Sequence, residues 1–237
     1  MSALNDPALV AHEYADERGL AARMAAQKTA TGPDPYGVVF EAVREFDPRL
    51  VLEVGCGRGE LAERMKNELD ARVVAIDQSE RMVELTTARG VEAVVADVED
   101  LPFRDAIFDC AVAAWMLYHA QDVHQALREL RRVLRPEGRL VVATSSERNL
   151  GELWELVGEI GAPGGRFTVE SAEGALLRYF TIVERRDVRG TVTFPDRDAA
   201  HRHISAVPTR GHLADRLPQL ERPLEASRHV AVFVCEL

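Results

Sequence analysis

Three glycines stand at alternate positions between a short apolar run and a segment with helical spacing. Gly55, Gly57 and Gly59 directly follow Leu50–Val54, and Glu53 lies two residues before the first of them. Glycine lets the backbone turn tightly and approach a ligand without a Cβ clash. Dinucleotide sites use the spacing GxGxxG and hold a pyrophosphate at the helix N-terminus. The spacing GxGxG with a nearby carboxylate instead favours a ligand that carries an amino group.

Two further carboxylates directly follow the next two apolar runs of the chain. Asp77 follows Arg72–Ile76 and can accept two hydrogen bonds from ribose hydroxyls, a feature that NAD-binding proteins share. Asp97 follows Val91–Ala96, and its carboxylate can accept a hydrogen bond from an exocyclic adenine amine. A neighbouring backbone N–H can meet a ring nitrogen of the same base. Both positions are therefore consistent with a ligand that contains adenosine.

These side chains need a scaffold that brings the ends of several strands together. Apolar runs alternate with helical patterns from residue 38 to 161, which is typical of a parallel sheet covered on both faces. Such a fold is doubly wound, and its ligands bind at the carboxyl ends of the strands. The predicted strands are 50–54, 72–76, 91–96, 107–114 and 139–144, the predicted helices are 38–46, 60–69, 80–89 and 124–134, and 135–138 is a predicted turn.

The pattern after residue 145 is looser. Residues 150–160 and 171–180 predict helices, and 181–188 and 230–235 predict two strands. Because no full helical crossover separates these strands, we expect an antiparallel hairpin at one edge of the sheet. The long connection at about 195–228 is typical of a lid or a binding loop, with short helices that cover the site.

Composition limits the class of protein. The 237 residues are 46% hydrophobic and 29% charged, which is typical of a globular chain. The net charge of −10 disfavours a general nucleic-acid binder, because duplex affinity depends on neutralising phosphates. No apolar run is long enough to span a membrane, the N-terminus lacks the pattern of a secretory signal, and the three cysteines are far apart. We therefore expect a cytoplasmic location.

Five segments together resemble the class I methyltransferases that use S-adenosylmethionine (SAM), in particular the UbiE-like or methyltransferase type 11 group. They are VLEVGCGRGELA, VVAIDQS, ADVEDLPF, FDCAVAAWMLYHA and LRELRRVLRPEGRLVVAT, in the family's order over about residues 50–144. The resemblance implies an α/β fold: a Rossmann-like, doubly wound sheet of seven strands, mostly parallel with an antiparallel last strand, and helices on both faces.

The resemblance also implies which residues bind SAM, whose product after transfer is S-adenosylhomocysteine. Glu53 and the glycine loop would hold the methionine part, Asp77 the ribose, and Asp97 with Val98 the adenine. The full implied set is Glu53, Gly55, Cys56, Gly57, Asp77, Gln78, Asp97, Val98, Ala114 and Trp115, with Tyr14 and Arg23 closing over the cofactor from an N-terminal cap.

Catalysis by such a protein consists mainly of aligning a nucleophile with an activated methyl group. A base contributes when the nucleophile is a hydroxyl or a protonated amine. His119, beside Tyr118, follows the fourth strand and is the candidate base; the alternative is a histidine that shapes the loop through backbone hydrogen bonds. His201 and His203 are expected to be exposed to solvent, and no metal site is predicted.

One methyltransferase domain over residues 1–237 is expected, with N-terminal cap helices in 1–46, a SAM-binding core in 47–145 and substrate-side helices with the edge hairpin in 146–237. The predicted activity is methyl transfer to O, N or C of a small-molecule metabolite or natural-product intermediate. Three alternatives stay open at this point. They are an RNA methyltransferase that uses the arginine- and histidine-rich tail, a SAM-binding protein without turnover, and an NAD(P)-dependent oxidoreductase, against which the loop spacing argues. A homodimer is also left open.

Overall fold

A mixed sheet of seven strands forms the centre of the molecule. The computed structural model describes residues 19, 23–25, 28–161, 167–207 and 209–237. The strand order is β3-β2-β1-β4-β5-β7-β6, and β7 runs antiparallel to both of its neighbours. The strands are β1 (Leu50–Val54), β2 (Arg72–Asp77), β3 (Glu92–Val95), β4 (Phe108–Ala114), β5 (Leu134–Ser145), β6 (Ile182–Phe194) and β7 (Leu224–Glu236). The predicted sheet and its antiparallel last strand are confirmed.

Helices cover both faces of this sheet. They are α1 (Pro35–Arg44), α2 (Glu60–Glu68), α3 (Glu80–Ala88), α4 (Val123–Val133), α5 (Gly151–Glu155), α6 (Val169–Leu176) and α7 (Arg197–Ser205), with 3₁₀ turns at Leu117–His119 and Gly211–Arg216. Within the described ranges, none of the helices combines the length and the apolar character that a membrane crossing needs.

Alternate residues of the buried strands supply two separate cores. In β1, Leu52 packs into the core that α4 covers, whereas Val51 packs into the core on the opposite face, which α1 covers. Side chains of a strand point alternately to the two faces, so a strand that is apolar throughout must be covered on both. Since β1 pairs in parallel with both β2 and β4, the carboxyl ends of these three strands lie at the same edge of the sheet.

A third hydrophobic cluster lies apart from the two sheet cores. It joins α5 to α7 and to the end of the β6–β7 pair that is remote from Ile182 and Glu236. Its members include Leu153, Trp154, Val192, Phe194 and Ile204, all of them buried. The two late strands are longer than predicted: each has 13 residues, and they pair from Ile182↔Glu236 to Phe194↔Leu224. The prediction was too short because β6 is a partly covered edge strand, and its charged residues interrupt the apolar pattern that indicates a strand.

Two local predictions were wrong. The predicted turn at 135–138 lies inside β5, where the pairing with β4 shifts from Phe108↔Leu134 to Cys110↔Arg139. An irregular register accommodates these residues, so proline and glycine interrupt the pairing and not the strand. The helix predicted over 150–160 is limited to Gly151–Glu155, and Gly158 has a φ of +84°.

Candidate functional site

A cavity of about 340 Å³ opens at the carboxyl ends of the parallel strands. We call the part lined by the segments that follow β1 to β4 the loop half. The part lined by 144–154, 167–168 and 203–207 is the distal half. The predicted residues that line the cavity are Arg23, Glu53, Gly55, Cys56, Gly57, Asp77, Gln78, Val98, Ala114, Trp115, Tyr118 and His119. The structure thus brings together residues that are up to 96 positions apart in the sequence.

Two predicted residues are not among those lining the cavity. Asp97 is exposed, and its carboxylate accepts a hydrogen bond from the backbone N–H of Glu99 at 2.9 Å. Its neighbours Ala96 and Val98 do line the cavity. Tyr14 lies outside the described residues. A role for Asp97 in binding adenine remains a prediction, and the structure shows its carboxylate engaged in a local turn.

The first loop glycine sits where a side chain has no room. Gly55 has a φ of +66°, in the left-handed region that favours glycine. A Cβ at this position would lie 2.6 Å from the Cβ of Met116, which follows β4. The loop and the chain after β4 can therefore approach each other only when residue 55 is glycine.

The third loop glycine begins α2 under a similar constraint. Gly59 has a φ of +77°, and a Cβ there would lie 2.9 Å from the Cα of Thr86. Thr86 is fully buried in α3, and its hydroxyl donates to the carbonyl oxygen of Gly57 at 3.2 Å. The same hydroxyl lies 3.4 Å from the Cys56 sulfur. Sequence reasoning missed Thr86, because nothing in its local pattern distinguishes it from other helical threonines.

Asp77 fixes the glycine loop to the start of α3. Its Oδ2 accepts from the Gly57 backbone N–H and its Oδ1 from the Ser79 backbone N–H, both at 2.9 Å. Burial raises the pKa of this carboxyl above its usual range, and backbone hydrogen bonds from Ser79, Gly57 and Gln78 oppose that rise. A carboxylate has about four acceptor sites, so Asp77 can still accept a hydrogen bond from a ligand.

Glu53 is a buried carboxyl group at the floor of the loop half. It is 3% exposed, and within the described part of the chain its Oε2 has no hydrogen-bond partner. Burial, with the nearby Asp77 and Glu60 carboxylates, raises its pKa to about 8, although a backbone hydrogen bond from Ala62 acts in the opposite direction. A ligand with a cationic nitrogen would satisfy this group and favour its charged form.

Tyr36 is a further lining residue that the sequence did not single out. Asp34 caps α1 by accepting from the Tyr36 and Gly37 backbone N–H groups, at 3.2 and 3.0 Å. The Tyr36 ring lies 4.5 Å from the Trp115 ring, centroid to centroid. Burial and the neighbouring Tyr118 and Glu53 raise the pKa of its phenol. Tyr36 is thus a neutral, protonated group at the boundary of the loop half.

The two candidate catalytic residues lie side by side where the halves meet. Tyr118 and His119 belong to the 3₁₀ turn after β4, and their ring centroids are 4.5 Å apart. Both line the cavity. Trp115, which precedes them, has a φ of +55° and donates its backbone N–H to Ala143 at 2.8 Å. Their position is suited to a proton acceptor, and that role remains a prediction.

The distal half contains a histidine whose predicted environment was wrong. His203 was expected to be exposed to solvent, but it is 7% exposed and lines the cavity. Its ring lies 5.3 Å from the Phe194 ring and 6.5 Å from the Trp154 ring. The burial of His203 could not be predicted from the local sequence, because the helix segment around it is rich in charged residues. The cluster that buries it is built from distant segments.

Several known proteins that resemble this chain are named as methyltransferases. A family model described as a methyltransferase domain matches residues 52–142. Malonyl-[acyl-carrier protein] O-methyltransferase of Erwinia pyrifoliae is 33% identical over 183 residues, which cover 71% of this chain and 65% of that protein. Demethylmenaquinone methyltransferase of Thermotoga maritima is 31% identical over 139 residues, 55% of this chain and 61% of that protein.

A solved structure shares the fold over the whole chain. Haemonchus contortus phosphoethanolamine N-methyltransferase 2, in complex with phosphomonomethylethanolamine and S-adenosylhomocysteine, aligns with a TM-score of 0.64 and 13% identity. The alignment covers 100% of this chain and 60% of that one. The chain spans between 32% and 65% of the length of the curated relatives that it matches.

Proposed function

Because the chain belongs to the class I SAM-dependent methyltransferases, we propose that it transfers a methyl group from SAM to O, N or C of a small-molecule acceptor. The observation that carries this proposal is the buried Glu53 carboxyl group, with an unpartnered Oε2, beside a glycine loop held by Asp77. A cationic nitrogen beside this carboxyl would favour its charged form, whereas the phosphate of a dinucleotide would oppose its ionisation.

The residues of the loop half fit SAM. Glu53 can accept hydrogen bonds from the amino group of the methionine part, and Asp77 can still accept a hydrogen bond from a ribose hydroxyl. Gly55 lets the loop lie directly against Met116, where a Cβ would clash. Since Asp97 does not line the cavity, we propose that Ala96 and Val98 flank the adenine.

Chemistry at this site needs alignment more than activation. Bound SAM supplies a methyl group that is already activated by the positive sulfonium. The protein's own part is to orient the acceptor, exclude water and accept a proton where the nucleophile carries one. We assign proton acceptance to His119, with Tyr118 beside it, because both line the boundary between the halves.

A small molecule fits the cavity better than a nucleic acid does. The volume of about 340 Å³ is that of a ligand pocket, and the net charge of −10 gives phosphates little attraction. The two curated relatives named above are called a malonyl-[acyl-carrier protein] O-methyltransferase and a demethylmenaquinone methyltransferase, so their names give different acceptors.

Calorimetric titration with S-adenosylhomocysteine tests the cofactor. We expect micromolar binding that Asp77→Ala weakens by at least tenfold, while Asp215→Ala, at a side chain that is 96% exposed, leaves affinity unchanged. Thermal unfolding of each variant checks that it is folded. If NAD binds and S-adenosylhomocysteine does not, the proposal is wrong. If SAM binds but a broad acceptor panel releases no S-adenosylhomocysteine, the protein is a SAM binder without turnover.

A further inference from the structure

The distal half presents an uncharged surface to the cavity. The lining side chains that its described segments contribute are those of Thr144, Ser145, Ser146, Asn149, Leu150, Trp154, Phe167, Thr168, His203 and Val207. None of these residue types is an acid, a lysine or an arginine. Arg23 also lines the cavity, but its Nη1 donates to the Ala206 carbonyl oxygen, so a charged acceptor would lose hydration here with little compensation from an opposite charge. The surface therefore selects for a neutral, largely apolar molecule.

Several polar groups in this half are already engaged within the protein. The Thr144 hydroxyl donates to the carbonyl oxygen of Phe167 at 2.9 Å, and the Ser146 hydroxyl donates to Glu170 at 2.5 Å. The Asn149 side-chain oxygen accepts from the His229 backbone N–H at 3.0 Å. These groups stabilise the wall and have correspondingly less capacity left for a ligand.

His203 differs from these groups. Within the described residues, its Nδ1 is buried and has no hydrogen-bond partner. Burial, with the positive charge of Arg23, lowers the pKa of the ring to about 4, so the imidazole is neutral at neutral pH. A neutral imidazole has one nitrogen that accepts a hydrogen bond. Leaving a buried acceptor unsatisfied is costly, and a ligand that donates to it would remove that cost.

We propose that His203 is an acceptor-binding residue that receives a hydrogen bond from the hydroxyl of a neutral, largely apolar substrate lying against Trp154, Leu150 and Val207. This inference rests on the proposed function, since it assigns the distal half to the methyl acceptor. Arg23 strengthens the arrangement from the N-terminal side, because its Nη1 donates to the Ala206 carbonyl at 2.7 Å and so holds the end of α7.

Three probes of one ring size test the inference on protein saturated with S-adenosylhomocysteine. They are 2-naphthol, which donates a hydrogen bond, 2-methoxynaphthalene, which does not, and 2-naphthoate, which is charged. Calorimetry at pH 7.5 is expected to show that the wild type binds 2-naphthol about tenfold or more tightly than either of the others. In His203→Phe the preference for the naphthol over the ether is expected to fall below about twofold. His203→Gln, which retains an acceptor, is expected to restore part of it.

Several outcomes would overturn the inference. A preference for the naphthol that persists in a folded His203→Phe protein would show that shape, not a hydrogen bond, discriminates. Tighter binding of the naphthoate, or no binding of the naphthol by the wild type, would contradict the neutral, hydroxylated acceptor. Titration with S-adenosylhomocysteine alone keeps the two proposals separate, because a wild type that binds it normally upholds the cofactor site whatever the naphthalenes do.

Discussion

The two halves of the cavity are lined by different kinds of chemical group. The loop half is largely backbone and carboxylates: glycines with positive φ, Asp77 bonded to two N–H groups, and the buried Glu53. The distal half is made of neutral side chains carried by α5, α7 and the segment after β5. Backbone geometry tolerates almost no substitution, whereas a side-chain wall can be repacked. A fixed ligand therefore suits the first half and a variable one the second.

Substitution at the boundary between the halves is expected to reduce turnover strongly without affecting the cofactor site. His119→Ala is expected to lower turnover by at least about 100-fold, because it removes the proposed proton acceptor. Affinity for S-adenosylhomocysteine should change by less than about twofold. The measurement is release of S-adenosylhomocysteine with the first active acceptor, and Tyr118→Phe is the matched variant. Unchanged turnover would leave His119 as a residue that only shapes the loop.

The loop half should lose its affinity for the cofactor when a side chain is introduced at Gly55. Gly55→Val places a side chain against Met116 at a φ of +66°, and we expect affinity for S-adenosylhomocysteine to fall by more than about 100-fold. Gly174→Ala is the control, because a Cβ at Gly174 has no neighbour within 4 Å. Near-normal calorimetric affinity of Gly55→Val would contradict the assignment of this loop to the cofactor.

Gly59 separates the effect of crowding from that of backbone strain. Gly59→Ala adds both a left-handed alanine and a clash with Thr86, so we expect a loss of about 3 kcal/mol in the free energy of unfolding. Gly158→Ala has a similar φ, +84°, but no neighbour within 4 Å, and should lose only about 1 kcal/mol. Urea unfolding measures both. Equal losses would show that strain alone matters at Gly59.

The distal half should be sensitive to acid through His203. Its pKa is about 4 in the folded protein, against 6.5 for an unperturbed histidine, so the unfolded chain binds more protons between these values. Stability is therefore lost as the pH falls below about 6.5, by about 2 kcal/mol between pH 7.5 and 5. Urea unfolding of His203→Phe should show a smaller pH dependence, and His201→Gln on the same helix should keep that of the wild type. Equal dependence in wild type and His203→Phe would contradict this origin.

The loop half should respond to pH in the opposite direction. Glu53 has a folded pKa of about 8, above the 4.5 of an unperturbed glutamate, so the folded protein holds the extra proton and stability falls as the pH rises between these values. A cationic amino group should expel this proton, and the wild type should release up to about one proton on binding S-adenosylhomocysteine at pH 7.

Titrations in buffers of different ionisation enthalpy measure that release. Glu53→Gln should release none from this position and bind about tenfold more weakly. Binding heats of the wild type that do not depend on the buffer would contradict the role of Glu53.

The loop half could be predicted from the sequence because its residues lie in short motifs, each of which directly follows a predicted strand. Gly55, Gly57 and Asp77 each end or follow a strand, and the topology of a parallel sheet brings such ends together. His203 could not be predicted in the same way. Its burial depends on Phe194 and Trp154, which lie in other elements, and the charged residues around it in α7 are typical of a solvated face.

Contacts between distant segments also give Arg132 and Thr86 roles that the sequence did not reveal. Arg132, in the last turn of α4, donates to the carbonyl oxygens of Phe103 and Leu101 at 2.7 and 3.0 Å and so holds the segment after β3. A guanidinium has five donors, and its long side chain reaches backbone groups that no local pattern reveals. Thr86 is a similar case, because its role depends on the neighbouring loop.

The third hydrophobic cluster supports the half of the cavity that we assign to the acceptor. Trp154, Phe194 and Ile204 stabilise the distal half without belonging to either sheet core. Substitutions that reshape this cluster would alter acceptor choice while leaving the glycine loop and its carboxylates in place. Because the proposal assigns the acceptor to this half, we expect substitutions in the cluster to change acceptor preference with little effect on affinity for S-adenosylhomocysteine.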